Sequence, residues 1–351
     1  MSTWLLYGAN GYTGRLIVRE AAARGLRPIV AGRDVAKVAA LAAELDLPSR
    51  TFALDDDAAL EQGFGGVEAV LNCAGPFVRT APKLIEACLA SGVHYLDITG
   101  EIDVLEHAHA CDAAARAAGA AIIPAVGFDV VPTDCLAALL VRRLPDASHL
   151  ALAFHGSGTL SPGTMKTALE GAADGGRARV DGRIVRVPFA WKTRAVPFAD
   201  GVREAQTIPW GDVASAYYTT GIPNIETYLA APANQLARMR RLNRFAPLLR
   251  FAPLRHGARR LVERRVKGPT EDELQHGRTE VWGEVRNATG RIESLTLTTP
   301  NAYRLTVLTA LAAVERVLNN EVAPGFQTPS QAFGAEFILS FDGVRSSVVS
   351  G

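Results

Sequence analysis

The chain has 351 residues, close to half of them hydrophobic, with a formal net charge of +1. That length suits two domains with real cores, and so even a charge balance gives no global argument for nucleic acid. The four cysteines, Cys73, Cys88, Cys111 and Cys135, are few for a disulfide-stapled chain and lack C-x-x-C spacing, so they read as buried thiols. The N-terminus runs straight into a strand and a glycine loop with no signal-peptide pattern. No apolar run reaches the roughly 18 residues that span a bilayer. A reducing, cytoplasmic setting is the expectation.

The first part of the chain alternates strand and helix. Trp4–Tyr7 reads as a strand, Tyr12–Arg24 as a helix, Pro28–Ala31 as a strand and Val35–Glu44 as a helix. Thr51–Leu54 is the third strand, followed by the acidic turn at Asp55-Asp56-Asp57. Ala69–Cys73 is the fourth strand and Pro82–Ala90 the next helix. Tyr95–Ile98 and Ala121–Pro124 close the sheet, with the alanine-rich helix Val104–Ala118 between them. Six strands with interleaved helices make a Rossmann-type parallel sheet.

After Pro132 the rhythm changes. Ser148–His155 and Ile184–Phe189 read as strands, Gly156–Gly163 as a loop and Thr164–Ala173 as a short helix. Glu280–Glu284 and Ser294–Thr298 alternate like antiparallel strands, and Leu305–Leu318 is a strong helix that should pack back on the first domain. The fold class is therefore α/β: a Rossmann-type domain over residues 1–132, a second α+β domain over 133–299 inserted before the C-terminal helix, and a helix and tail over 300–351 returning to the first domain.

Chemistry enters at Gly8-Ala9-Asn10-Gly11-Tyr12-Thr13-Gly14, between a strand and a helix. Gly8 makes the tight turn, Gly11 leaves room for a pyrophosphate, and Gly14 lets the helix pack close to the strand. The N–H groups and positive dipole end of the helix then face the phosphates. This order of strand, loop and helix separates a dinucleotide site from a plain glycine turn.

The end of strand two carries Gly32-Arg33-Asp34, where an acidic residue would bind the ribose hydroxyls of NAD. Arg33 suits a 2′-phosphate through its planar charged fork, and Lys37 adds a second positive charge. NADP (as NADPH) is the expected cofactor. Asp34 has two readings, a cap on the next helix or a ribose contact. Asp55 follows strand three and faces the adenine edge. Asn72, Ala74, Gly75, Pro76 and Phe77 follow strand four, where small residues let backbone approach the nicotinamide ribose and Phe77 lines the ring pocket.

Other catalytic patterns are missing. None of the seven tyrosines has a lysine four residues on, there is no H-E-x-x-H, and Gly156-Ser157-Gly158 lacks nucleophile-elbow spacing. His107 and His109 are two apart on a helix and point to different faces. No metal site is expected. A reduced C=C or C=N bond also needs a proton, from a donor tuned toward neutral pH. Glu101, Asp129, Tyr95 and Asp97 lie at the ends of the later strands, where the crevice of such a sheet opens. The structural alternatives are a backbone hydrogen bond for Asp97 and helix capping for Asp129. Lys166 and Tyr218 are weaker candidates from the second domain.

Residues 238–267 hold ten arginines and one lysine against the single acid Glu263, a net +10, so the rest of the chain carries −9. Leu242, Phe245, Leu248, Leu249, Phe251 and Leu254 are interleaved with them. The stretch reads either as a solvated helical hairpin broken at Pro247 and Pro253, or as a docking surface for an acidic partner or anionic lipid. The second-domain sheet offers a homodimer face.

Four segments together resemble the saccharopine dehydrogenase-like oxidoreductase family, which includes the trans-acting enoyl reductases. They are Tyr7–Gly14, Asn72–Phe77, His94-Tyr95-Leu96-Asp97-Ile98-Thr99-Gly100-Glu101, and Gly127-Phe128-Asp129-Val130-Val131-Pro132-Thr133-Asp134. The likeness is dense over residues 1–140 and looser through Ile208–Asp212 and Gln327–Gly334. It implies a Rossmann domain, an inserted second domain, a substrate cleft between them and nicotinamide-dependent hydride transfer. On that basis the chain is expected to be an NADP-dependent oxidoreductase acting on a small-molecule or acyl substrate. A carrier-bound or lipid enoyl group is one version and imine reduction in amino-acid metabolism another. A non-catalytic NADP(H) sensor is the alternative from a different class.

Overall fold

The computed structural model describes residues 3–156, 159–171, 175–243 and 252–348. The first strands are β1 (Trp4–Tyr7), β2 (Ile29–Gly32), β3 (Ser49–Thr51), β4 (Ala69–Asn72), β5 (His94–Asp97) and β6 (Ala121–Ile123). They pair in parallel in the order β6-β5-β4-β1-β2-β3. β1, β2 and β4 are buried along their whole length, as strands covered by helices on both faces must be.

Three elements between β2 and β6 differ from the sequence reading. β3 ends at Thr51 because Phe52 turns away, its ring filling the space under Gly63 and lying 5.2 Å from Tyr7. The helix before β5 begins at Phe77, well ahead of Pro82, because a distant carboxylate binds its first N–H groups. The alanine-rich helix is two, Ile102–Ala110 and Asp112–Ala118. Their break lets Asp112 accept the backbone N–H of Phe326 at 2.8 Å.

The helix Val131–Arg143 leads out of the first sheet, and its side chains are buried on nearly every face. It packs against the second sheet, where a Cβ on Gly283 would meet Leu140 at 2.8 Å. That sheet contains β7 (Ala147–Gly156), β8 (Gly176–Val180), β9 (Arg183–Val187), β10 (Thr193–Phe198), β11 (Gly201–Thr207), β12 (Asn224–Ala230), β13 (Arg278–Asn287) and β14 (Ile292–Pro300). β7 and β12 run parallel, their other pairings are antiparallel, and β8–β9 is a hairpin on β12. Leu150, Leu152, Phe154, Val281, Val285, Leu295 and Leu297 form the face that shares a core with the first domain.

The helix Ala302–Leu318 packs on the helix Tyr12–Ala23 and on β4 and β5. The tail then divides between the two sheets. β15 (Gly325–Phe326) adds a seventh parallel strand beside β6, so Ala121–Ile123 does not close the first sheet. A two-residue strand is too short to carry any periodicity in sequence. β16 (Arg345–Val348) pairs with β14 in the second sheet instead of returning to the first. Between them, buried Asp134 accepts the N–H of Ser330 at 2.8 Å and anchors the tail.

The basic stretch forms helices Ala233–Asn243 and Ala252–Arg265. Its proline at 247 and the apolar residues 245, 248, 249 and 251 lie outside the described residues, as do residues 157–158 of the glycine/serine loop. Cys88 and Cys135 are buried, whereas Cys73 and Cys111 are only partly so, and all four are free thiols. Among the described residues no helix is long and apolar enough to cross a membrane, and no cluster of His, Cys, Asp or Glu is arranged to hold a metal ion.

Candidate active site

The glycine loop forms the floor of a crevice at the carboxyl ends of the parallel strands. Gly8 has φ +82°, and a Cβ there would stand 2.7 Å from the backbone nitrogen of Ala74. Glycine thus lets the loops after β1 and β4 touch, with Ala74 supplying the opposing wall. A Cβ on Gly14 would lie 2.5 Å from the carbonyl oxygen of Gly8, so the helix can approach the turn only with glycine there. Gly11 is exposed and extended, and no side chain caps the helix it precedes. The first N–H groups of that helix are left for an external anion. Thr13 is partly buried in this first turn, and Asn10 lies over Gly32, whose Cβ would be 3.0 Å from Asn10 Oδ1.

Tyr12 points elsewhere. Its hydroxyl donates to the carbonyl of Pro269 at 2.9 Å, and its ring meets Tyr303 edge-on at 5.4 Å. Burial pushes its pKa up to about 12. This side chain ties the loop to the chain entering β13.

At the end of β2, Asp34 caps the helix Val35–Leu45 by accepting the N–H of Lys37 at 3.1 Å. The Lys37 ammonium pairs with the same carboxylate at 3.0 Å. Lys37 is therefore engaged by its own helix cap. Arg33 is exposed and has no carboxylate partner among the described residues. It shares a corner with exposed Asp55 and with Tyr7, whose pKa burial raises to about 12 while the Arg33 charge opposes and the Asp55 charge adds to that rise.

Asn72 is fully buried and spent on structure. Its amide donates to Thr80 Oγ1 at 3.1 Å and to the Tyr95 hydroxyl at 3.2 Å, and its oxygen accepts the Ala74 N–H at 2.9 Å. It shapes the Ala74–Phe77 loop without reaching into the crevice. Gly75 is exposed, Pro76 is buried, and the Phe77 ring is buried beside Gly75.

The four acid–base candidates separate by environment. Tyr95 is fully buried, its hydroxyl donating to Asp97 Oδ2 at 2.8 Å, and burial raises its pKa far above the usual phenol range. Asp97 is also fully buried and accepts the N–H groups of Thr99 at 3.0 Å and Ala125 at 2.7 Å. Burial lifts its pKa to about 6 against these bonds. The pair ties β5 to the end of β6, where Ala125 takes the left-handed φ of 61°. Glu101 is the carboxylate at the start of the Phe77–Ser91 helix. It accepts the N–H groups of Phe77 and Val78, both at 2.8 Å, and the Thr167 hydroxyl at 3.2 Å.

Asp129 alone keeps a carboxyl with no hydrogen-bond donor among the described residues. It is partly buried, sits over Gly100, and has its pKa raised to about 7 by burial and then by the charge of Glu101. The helix that follows starts at Val131 with no side-chain cap, so Asp129 does not fill the capping role. Trp210 Nε1 donates to its backbone carbonyl at 2.6 Å. Phe128, Phe154 and Trp210 form an aromatic run beside it, with centroid separations of 5.7 and 4.9 Å.

Lys166 lies on the helix Pro162–Gly171, which covers Gly75 and Glu101 through Thr167. Tyr218 is committed elsewhere, since its hydroxyl donates to Glu106 at 2.7 Å and its ring stacks on His109. Sequence reasoning assigned no role to Trp210 or Asp212. Asp212 is fully buried near Asp129, with Thr133 close to its carboxylate, and burial holds it well above the usual carboxylate range. The Ile208–Asp212 segment was visible as a resemblance, but only packing of Gly211 on Gly100 and Val130 places it at the crevice.

The seven-stranded parallel sheet with a glycine cradle, an uncapped helix start and a lone arginine after β2 defines a doubly wound dinucleotide-binding protein. Residues 4–123 match the model of the saccharopine dehydrogenase NADP binding domain, so the dinucleotide of the first domain is NADP. A trans-acting enoyl reductase of Mycobacterium leprae is 34% identical over 150 residues, which cover 40% of this chain and 35% of that protein. One of Mycobacterium ulcerans is 32% identical over 152 residues, with the same shares. The match thus spans well under half the length of these relatives. The structure of histidine-tagged apo saccharopine dehydrogenase (L-Glu forming) from Saccharomyces cerevisiae superposes over 100% of both chains with a TM-score of 0.65 at 14% identity, a likeness of fold.

Proposed function

We propose that the chain is an NADPH-dependent reductase that adds hydride and a proton across a C=C or C=N bond, with Asp129 as the proton donor. The observation that carries this reading is the Asp129 carboxyl, partly buried, without a donor among the described residues and raised to about 7. A group poised there can be an acid at neutral pH and recover its proton from solvent. Gly8, Gly11, Gly14 and the start of the Tyr12–Ala23 helix would hold the pyrophosphate, and Arg33 the 2′-phosphate. Bound NADPH supplies the hydride.

The chain's own groups do the remainder. Glu101 holds the Phe77–Ser91 helix in place, and its charge adds to burial in raising the Asp129 pKa. Gly100 gives the Asp129 carboxyl its place. Trp210, bonded to the Asp129 carbonyl and backed by the buried rings of Phe128 and Phe154, gives this corner an apolar wall, which favours an acyl substrate over an amino acid. An enoyl thioester is the substrate class this favours, in keeping with the names of the mycobacterial relatives.

The test is consumption of NADPH by the purified chain with a panel of enoyl thioesters and, separately, 2-oxo acids plus amines. Turnover of an enoyl thioester that disappears in Asp129→Asn supports the reading. Tight NADPH binding with no turnover on either panel would leave a cofactor-binding sensor.

A further inference from the structure

The basic stretch is unused by the chemistry above, and its two helices present an unusual outer face. Their inner sides are held by the protein, through buried Leu236 on the first and buried Val262 on the second. Their outer sides expose Leu242 at 59%, Leu254 at 54% and Leu261 at 53%. Leu254 and Leu261 are two helical turns apart and share one face. Arg238, Arg240, Arg241, Arg260 and Arg265 are exposed on the same two helices and Lys267 just beyond them, and among the described residues none has an acidic partner.

We infer that this face docks on an anionic lipid surface. Arginine heads suit phosphate headgroups, and their stems and the leucines suit the acyl boundary just beneath. An acidic protein would satisfy the cations but leaves no reason for three leucines spread among them. Charge agrees, because these six described cations have no described acidic partner, whereas the chain outside residues 238–267 carries −9. An anionic surface therefore attracts this face and repels the remainder of the molecule.

Position adds a consequence. The helix Ala252–Arg265 packs on the helix Pro162–Gly171, which bonds Glu101 through Thr167. It then runs into Gly268 and Pro269, which receive the Tyr12 ring and hydroxyl. Docking would bring the crevice mouth to the lipid.

The experiment is co-sedimentation of the full chain with vesicles of phosphatidylcholine, alone or mixed with phosphatidylglycerol, over a salt series. Binding should require the anionic lipid and weaken with salt. Arg240→Gln and Arg241→Gln should each weaken it about fivefold. Leu254→Ser with Leu261→Ser should weaken it about tenfold or more, with thermal melting and NADPH affinity as native. Equal binding to both vesicle types, or none, overturns the inference. Anionic binding that the leucine substitutions leave unchanged also overturns it and points to an acidic protein partner. The arginine variants, which touch exposed side chains only, keep the test decisive if the double leucine variant melts early.

Discussion

Gly100 and Asp129 are fitted to one another: a Cβ on Gly100 would stand 2.8 Å from Asp129 Oδ2 and 3.1 Å from its Cβ. They come from the ends of adjacent strands, and the missing side chain of one makes the seat of the other. Gly100→Ala should displace the carboxyl and lower kcat about a hundredfold, while the Kd for NADPH measured by titration calorimetry stays as native. An unchanged kcat would remove Asp129 from the chemistry.

Asp129→Asn should lower kcat for reduction by about 10²–10⁴. The acid form donates, so native kcat should be level below the Asp129 pKa of about 7 and fall above it. Steady-state rates across pH test this, and a native profile that rises with pH would contradict it.

The same group couples stability to pH. Its folded pKa of about 7 stands above the ordinary 3.8, so between those values the folded chain keeps a proton that the unfolded chain releases. The stabilisation is complete below about pH 4 and is lost as pH rises through about 7. Urea unfolding should therefore find Asp129→Asn gaining on the native chain as pH rises. A constant difference across that window would refute the shift.

Glu101 has two jobs that one substitution can separate. Glu101→Gln keeps a single acceptor oxygen for the Phe77 and Val78 N–H groups, so stability should fall by about 1–3 kcal/mol. Loss of its charge should also move the descending limb of the kcat profile to lower pH, because that charge helps raise Asp129. A capping role alone would leave the limb in place.

Arg33→Ala should weaken NADPH binding by about 1.5–3 kcal/mol, the worth of a hydrogen bond to a charged group, and leave NADH nearly unaffected. Fluorescence titration with both cofactors decides it. Equal losses would place the 2′-phosphate elsewhere, and Lys37, already paired with Asp34, would be the next residue to change.

Local pattern carried most of the first domain. Most of its strands are short, largely apolar and spaced by amphipathic helices, so period and composition mark them before any packing is known. Boundaries moved where a distant residue intervened: Glu101 lengthened the Phe77–Ser91 helix and Asp112 split the alanine-rich one. β15 and β16 were invisible because each is defined by the strand it pairs with.

The glycine loop and Arg33 could be read as a cofactor site because spacing and residue type alone determine what backbone can approach a phosphate. The acid–base residues could not be ranked that way. Tyr95, Asp97, Glu101 and Asp129 share one strand-end neighbourhood in sequence, but a carboxyl's role depends on who donates to it and how much water it keeps. Tertiary structure gave Asp97 and Glu101 their backbone donors and, among the described residues, left Asp129 without one, and that difference in solvation and hydrogen bonding is a property no single segment of the chain contains.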